Sequence, residues 1–264
     1  MNKADVIPWP DGSAISRALR RGRGAGVKVA ILDSGVEIGH SAFEGRSLAD
    51  DLCFKAEDDE MTILQEEGNG ADTYGHGTAI AWLIWSVAPE ARIGSFRIMG
   101  EGTLTSKRHL VRAAAQEALR RGYQVLNCSF GHRAAALYSL DYKEWVDAAY
   151  VTGCSIVAAC DNAGSQHQVF PAHFTSVIGV DRADLIGPVS FIRRAGQLVE
   201  FAAHGENVLV PWKDGSWKNV IGSSYAAPRV TGLVARLLSV LPNLTASQVK
   251  AALQAAAVPV GDGV

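Results

Sequence analysis

Residues 27–35 read Val-Lys-Val-Ala-Ile-Leu-Asp-Ser-Gly. All of the first six except Lys28 are apolar, and the run is too short and too β-branched for a helix. It predicts a strand buried on both faces, which in an open α/β sheet means a parallel one. Asp33 then stands at the C-terminal end of that strand, the edge where such sheets gather ligand and catalytic groups.

The same pattern recurs at residues 92–98, 124–130, 155–160 and 176–181. Between the second and third of these five runs, residues 106–122 (SKRHLVRAAAQEALRRG) have helical spacing, with Thr105 or Ser106 as candidate N-cap and Gly122 as stop signal. Residues 141–152 form a second crossover helix, ended by Gly153. This strand–helix–strand rhythm predicts an α/β fold of three layers, a mainly parallel central sheet with helices on both faces. Further on, residues 207–212 and 216–222 flank Lys213-Asp214-Gly215, a hairpin signal. Residues 224–241 are helical in character, with Pro228 near the first turn and Pro242 after the end. Thr245-Ala246-Ser247-Gln248 is a capping box opening a last helix, with Leu244 placed as its staple. There is no internal repeat, low-complexity tract or linker, so residues 1–264 read as one domain.

Hydrophobic residues make up 48% of the chain and charged residues 20%, which supplies a core and excludes disorder. A net charge of -2 offers no electrostatic reason for nucleic acid or an anionic membrane as partner, and Arg20, Arg21 and Arg23 read as a solvated loop. The opening MNKADVIPWPDGS has no signal-peptide h-region, and the apolar stretch 232–241 is broken by Arg236 and too short for a bilayer. Cys53, Cys128, Cys154 and Cys160 show neither CxxC pairing nor metal-ligand spacing with histidine. The expectation is a cytoplasmic protein with reduced thiols, no metal and no cofactor.

Three segments carry chemistry. Asp33-Ser34-Gly35 ends the first strand, where a lone Asp could equally hold a ribose or a cation; the missing GxGxxG after the strand disfavours a dinucleotide. Gly75-His76-Gly77-Thr78 opens an apolar helix, its glycines allowing a tight turn that aims His76 out of the core. Gly222-Ser223-Ser224-Tyr225-Ala226-Ala227-Pro228 sets a serine at a helix N-terminus, where the peptide dipoles and a nearby N–H favour an oxyanion. Taken singly, each has a bland alternative: a strand-end acid, a structural histidine, a plain N-cap. In the order Asp, His, Ser they resemble the subtilisin family of serine proteases. DSG, GHGT and GSSYAAP match that family's signatures, and VAPEARI, NCSFG, VAACDNAG and FPAHFTSVIGV extend the likeness over most of the chain, from about Ile7 to the final helix.

The resemblance implies a subtilisin-like fold and a serine endopeptidase working through an acyl-enzyme. Ser224, which precedes Tyr-Ala-Ala-Pro, is then the nucleophile, His76 the base, Asp33 its orienting carboxylate, and Asn162 an oxyanion donor. It further implies an extended polypeptide substrate lying between Ser129-Phe130-Gly131 and the Gly100, Gly102 side, with Ala158, Ala159, Cys160 and Asp161 around the pocket beside Asn162. Leader-peptide processing, transfer of the acyl group to an amine, and a non-catalytic peptide-binding fold are the alternatives.

The chain departs from the family pattern at Ala79 and Trp82 after GHGT, at His204 in place of a usual proline, and at Asp161 in place of a glycine. An acid at 161 favours Lys or Arg before the scissile bond, unless it turns away to pair with a neighbour such as Arg97 or caps a turn. The His76 helix passes almost directly into Val87-Ala88-Pro89, without room for the inserted calcium loop of many relatives. No inhibitory prodomain is recognisable, so a regulatory or substrate-presenting protein partner is expected to restrain such an enzyme.

Overall fold

The computed structural model describes residues 10–57, 62–133 and 138–259. The first nine residues of the opening segment expected to lack a signal peptide, and with them the start of the family likeness at Ile7, lie outside the described residues. The first strand, β1 (Lys28–Asp33), forms where the sequence places it. Its side chains alternate between the two faces, with Val29 and Ile31 in one core cluster and Ala30 and Leu32 in the other.

Between β1 and the next central strand come β2 (Asp51–Ala56) and β3 (Ile63–Glu67), an antiparallel pair at one sheet edge that the sequence did not announce. Then follow β4 (Arg92–Arg97), β5 (Val125–Cys128) and a short β6 (His132–Arg133). The remaining strands are β7 (Ser155–Ala159), β8 (Val169–Phe170), β9 (Ile178–Ala183), β10 (Phe191–Arg193), β11 (Phe201–His204), β12 (Val208–Trp212), β13 (Ser216–Val220) and β14 (Val258–Pro259). The main sheet runs β14-β10-β11-β9-β7-β5-β1-β4-β2-β3. Its central pairs are all parallel. Because β1 has β4 on one side and β5 on the other, the strand order reverses at β1, and Asp33 sits at that switch point.

Among the described residues six α-helices cover the sheet. Helices α1 (Gly12–Arg21), α2 (His76–Val87), α5 (Ser223–Val240) and α6 (Ala246–Ala256) lie over one face, where Ile15, Ile84, Leu233 and Leu253 share a cluster with Val29 and Ile31. Helices α3 (Arg108–Arg120) and α4 (Tyr138–Val151) cover the other, through Val111, Trp145 and Val146. Three layers result, as the rhythm of the sequence predicts.

Four local expectations are corrected. Arg20 and Arg21 are the last turn of α1, whose buried Ile15, Ala18 and Leu19 make a stripe, so they belong to a helix and not to a loop. The N-cap of α3 is Lys107, without a side-chain cap, because Ser106 is bridged to Met99 and so remains outside the helix. Helix α4 begins at Tyr138, three residues before position 141. Helix α5 begins at Ser223 with Gly222 as N-cap, which makes Ser224 its second residue and not the cap. The capping box of α6 forms as read. So does the β12–β13 hairpin, with Asp214 and Gly215 both at positive φ in its turn. Among the described residues no helix is long and apolar enough to cross a membrane.

Candidate active site

Asp33 and His76 meet at the C-terminal edge of β1. The His76 Nδ1 lies 2.8 Å from Asp33 Oδ1 and 2.9 Å from Oδ2, with both side chains sealed from solvent. A carboxylate only accepts, so Nδ1 carries the proton and Nε2 is left with its lone pair. Asp33 Oδ1 accepts a further bond from the Ser34 N–H at 2.8 Å. Burial pushes the imidazole down, but the Asp33 charge, its hydrogen bond and the more distant Asp72 outweigh it, and the His76 pKa ends above the ordinary histidine value.

The turn before His76 explains the GHGT frame. Gly75 has φ 108°, a left-handed conformation, and a Cβ there would lie 2.5 Å from the Trp212 indole. Gly77 has a different reason: a Cβ would come within 2.0 Å of the Gly35 carbonyl oxygen. With glycine at the N-cap, the orphan donors of α2 fall to Asp72. Its carboxylate accepts from the N–H groups of Tyr74, Gly75 and Thr78 and from the hydroxyls of Thr78 and Ser34, at 2.6–2.9 Å. Sequence reasoning missed Asp72; an acid four residues before a helix-opening histidine was the available signal.

Ser224 comes to the same edge on α5, next to Tyr225, whose ring packs 5.4 Å from the His76 ring. Its Oγ donates to the Ser129 carbonyl at 2.9 Å, and no hydrogen bond joins it to His76 in this rotamer. In return the Ser129 hydroxyl donates to the Ser224 carbonyl at 3.0 Å. That carbonyl is free because Pro228, four residues on, has no N–H to give it. Ser129 Oγ accepts from Asn127 Nδ2, and Asn127 Oδ1 accepts from Thr231, so a buried polar chain ties α5 to β5 beneath the serine.

Asn162 lies beside the start of α5. Its Oδ1 accepts the Ser223 N–H at 2.9 Å and lies 3.1 Å from the Ser223 hydroxyl. Among the described residues neither Asn162 Nδ2 nor the Ser224 N–H has a hydrogen-bond partner, leaving two donors for an oxyanion. Burial pushes the thiols of Cys128, Cys154 and Cys160 up, so these cysteines are poor nucleophiles.

Gly100 and Gly102 are tied to the His76 side through Thr73, whose hydroxyl donates to the Gly100 carbonyl at 3.3 Å and whose carbonyl accepts the Gly102 N–H at 3.4 Å. Ser129 lies on the Ser224 side, Phe130 turns into the core and Gly131 is exposed. The Ala158 and Ala159 side chains are sealed in the two core clusters on opposite faces of the sheet, because β7 is covered on both sides. Cys160 is buried too. Asp161 does not reach into a pocket. Its Oδ2 pairs with Arg133 at 2.7 Å, and its Oδ1 caps the turn by accepting the Ala163 N–H at 2.8 Å. The Arg133 bond, followed by the Ala163 N–H, holds this carboxyl below the usual range. Arg97, the partner suggested by sequence, donates to Cys53 Sγ instead.

Residues 24–263 match the model of the subtilase family. Subtilisin DY of Bacillus licheniformis is 30% identical over 256 residues, an alignment covering 91% of this chain and 86% of that protein. Among solved structures, a cold adapted subtilisin-like serine proteinase superposes with TM-score 0.70 at 23% identity, covering 88% of this chain and 82% of its own. The prenylagaramide maturation protease PagA superposes with TM-score 0.69 at 21% identity, covering 96% and 90%.

Proposed function

This chain belongs to the subtilase family and is a subtilisin-like serine protease, and from that premise we propose that it is an endopeptidase cutting extended polypeptides through an acyl-enzyme on Ser224. The observation that carries the reading is the His76–Asp33 pair beside the N-terminus of α5, where Ser224 stands next to two unpaired donors. His76 Nε2 takes the Ser224 proton as Oγ attacks the substrate carbonyl carbon, and Asp33 stays ionised and steadies the imidazolium. The oxyanion is met by the Ser224 N–H and Asn162 Nδ2. His76 then gives the proton to the leaving amine, and water repeats the sequence to free the acid. At rest the hydroxyl is held by the Ser129 carbonyl. A substrate N–H competing for that carbonyl releases Oγ towards His76, so pairing with the Ser129–Gly131 segment and activation of the nucleophile are one event.

A second reading keeps the residues and changes the acceptor, with an amine in place of water, or confines cutting to a leader segment. Its support is the fold shared with a protease described as a maturation protease. We place the protein in the cytoplasm, on four cysteines that are all buried and unpaired. Mass spectrometry of a peptide mixture incubated with the enzyme tests the main reading. Hydrolysed fragments absent with Ser224→Ala support it, ligated products favour the second, and equal cleavage by the variant overturns both.

A further inference from the structure

We propose that Arg182 is a positioning residue for the Asn162 amide, a role that rests on the serine-protease reading of the same site. Arg182 is the second-last residue of β9 and follows the last segment of family likeness. Its Nη1 lies 3.3 Å from both the main-chain oxygen and the Oδ1 of Asn162. Its Nε is held from the other side by Glu206 Oε1 at 2.7 Å. The guanidinium is thus a brace between the turn that carries Asn162 and the turn that leaves β11.

The donor inventory fixes what the brace does. Asn162 Oδ1 faces the Ser223 N–H at 2.9 Å, the Ser223 hydroxyl at 3.1 Å and the Arg182 guanidinium at 3.3 Å, and of these the N–H and the guanidinium only donate. A flipped amide would turn its NH₂ on a cation and a backbone N–H, losing two bonds and adding repulsion. Arg182 therefore keeps Nδ2 as the part of the amide left free to donate. A charged donor on Oδ1 also draws electron density from the amide, which strengthens Nδ2–H as a donor while negative charge develops. Ser223 alone supplies neutral groups to hold the orientation, its N–H and its hydroxyl; Arg182 adds the charge.

The test is a double-mutant cycle on kcat and KM. Arg182→Ala should lower kcat about 5–20-fold with KM within about twofold, because the bond it supports tightens in the transition state. Arg182→Lys should recover part of that loss, keeping the charge without the fork. In an Asn162→Ala background, Arg182→Ala should change kcat less than about twofold. The same fold-loss in both backgrounds, or a loss confined to KM, overturns the proposal. Should Arg182→Ala not fold, Arg182→Gln takes its place in the cycle with the same expectations.

A readout independent of turnover separates this proposal from the protease reading. The side-chain amide resonance of Asn162, identified by its disappearance in Asn162→Ala, should move and exchange faster with water in Arg182→Ala. If it does so in a protein that cleaves no peptide, positioning stands and the protease reading falls. If peptides are cleaved and the resonance stays in place, positioning falls.

Discussion

Pro228 and Ser129 form one device under the candidate nucleophile, and replacing Ser129 by Ala should expose it. Pro228 strands the Ser224 carbonyl, which the Ser129 hydroxyl serves at 3.0 Å while accepting from Asn127 Nδ2 at 2.9 Å. Removing one hydroxyl therefore leaves two polar groups unsatisfied at a place where Ser129 and Asn127 are sealed. At about 1–3 kcal/mol for each such group, the loss is about 2–6 kcal/mol. For a protein of this size that corresponds to roughly 5–20 °C in Tm. Pro228→Ala returns an N–H to the position that faces the Ser224 carbonyl. It should therefore stabilise the Ser129→Ala protein by about 1 kcal/mol more than it stabilises the parent. Urea unfolding of the four proteins, all carrying Ser224→Ala to prevent self-digestion, measures that coupling. Additivity to within about 0.3 kcal/mol would refute the pairing of proline with serine.

The acid limb of kcat/KM should lie above about 6.5, since the neutral base forms only as pH rises through the raised His76 value. A limb at or below that value contradicts the dominance of Asp33 and Asp72 over burial. The stability that His76 contributes has the opposite sign: it is complete below the unfolded value and is lost as pH rises through the folded one. Asp161→Gly should leave the ratio of cleavage after Arg to cleavage after Leu unchanged, because the carboxylate is engaged by Arg133 and Ala163; a fall of about tenfold in that ratio would put it in the pocket. Helix α2 runs unbroken to Val87, with only residues 88–91 before β4, and among the described residues no group of three His, Cys, Asp or Glu side chains is placed to hold a metal ion. EDTA should therefore leave Tm unchanged, and a drop of about 10 °C would reveal a bound cation.

The central strands were legible because β1, β4, β5, β7 and β9 are buried on both faces, so their runs are apolar regardless of partner. The β12–β13 turn and the α6 cap were legible from local chemistry alone, Asp-Gly at positive φ and Thr with Gln three residues later. Helix α1 escaped because its stripe is three residues among arginines; Asp11, whose side chain accepts the Ala14 N–H, was the missed cap. Strand β3 escaped because four of its five residues are exposed, so pairing with β2 creates it and not burial. In the site, Asp33, His76, Ser224 and Asn162 were named from motifs, whereas Asp72, Asn127, Thr231 and Arg182 were not. Asn127, Thr231 and Arg182 act through contacts between segments far apart in the chain, such as Asn127 with Thr231 and Arg182 with Asn162, and no local pattern encodes them; Asp72 could have been read from its place four residues before His76. Asp161 went the other way: the residue was noticed, but whether a side chain at a strand end faces the cleft or a neighbour depends on where Arg133 lies.

The most direct measurement is the mass of the protein after reaction with a fluorophosphonate, followed by peptide mapping of the adduct. The account predicts one phosphonyl group per chain, carried by Ser224, with labelling that slows as pH falls through the His76 titration. It also predicts no adduct in Ser224→Ala. An adduct on Ser223, or labelling of Ser224→Ala at the rate of the parent, would contradict it.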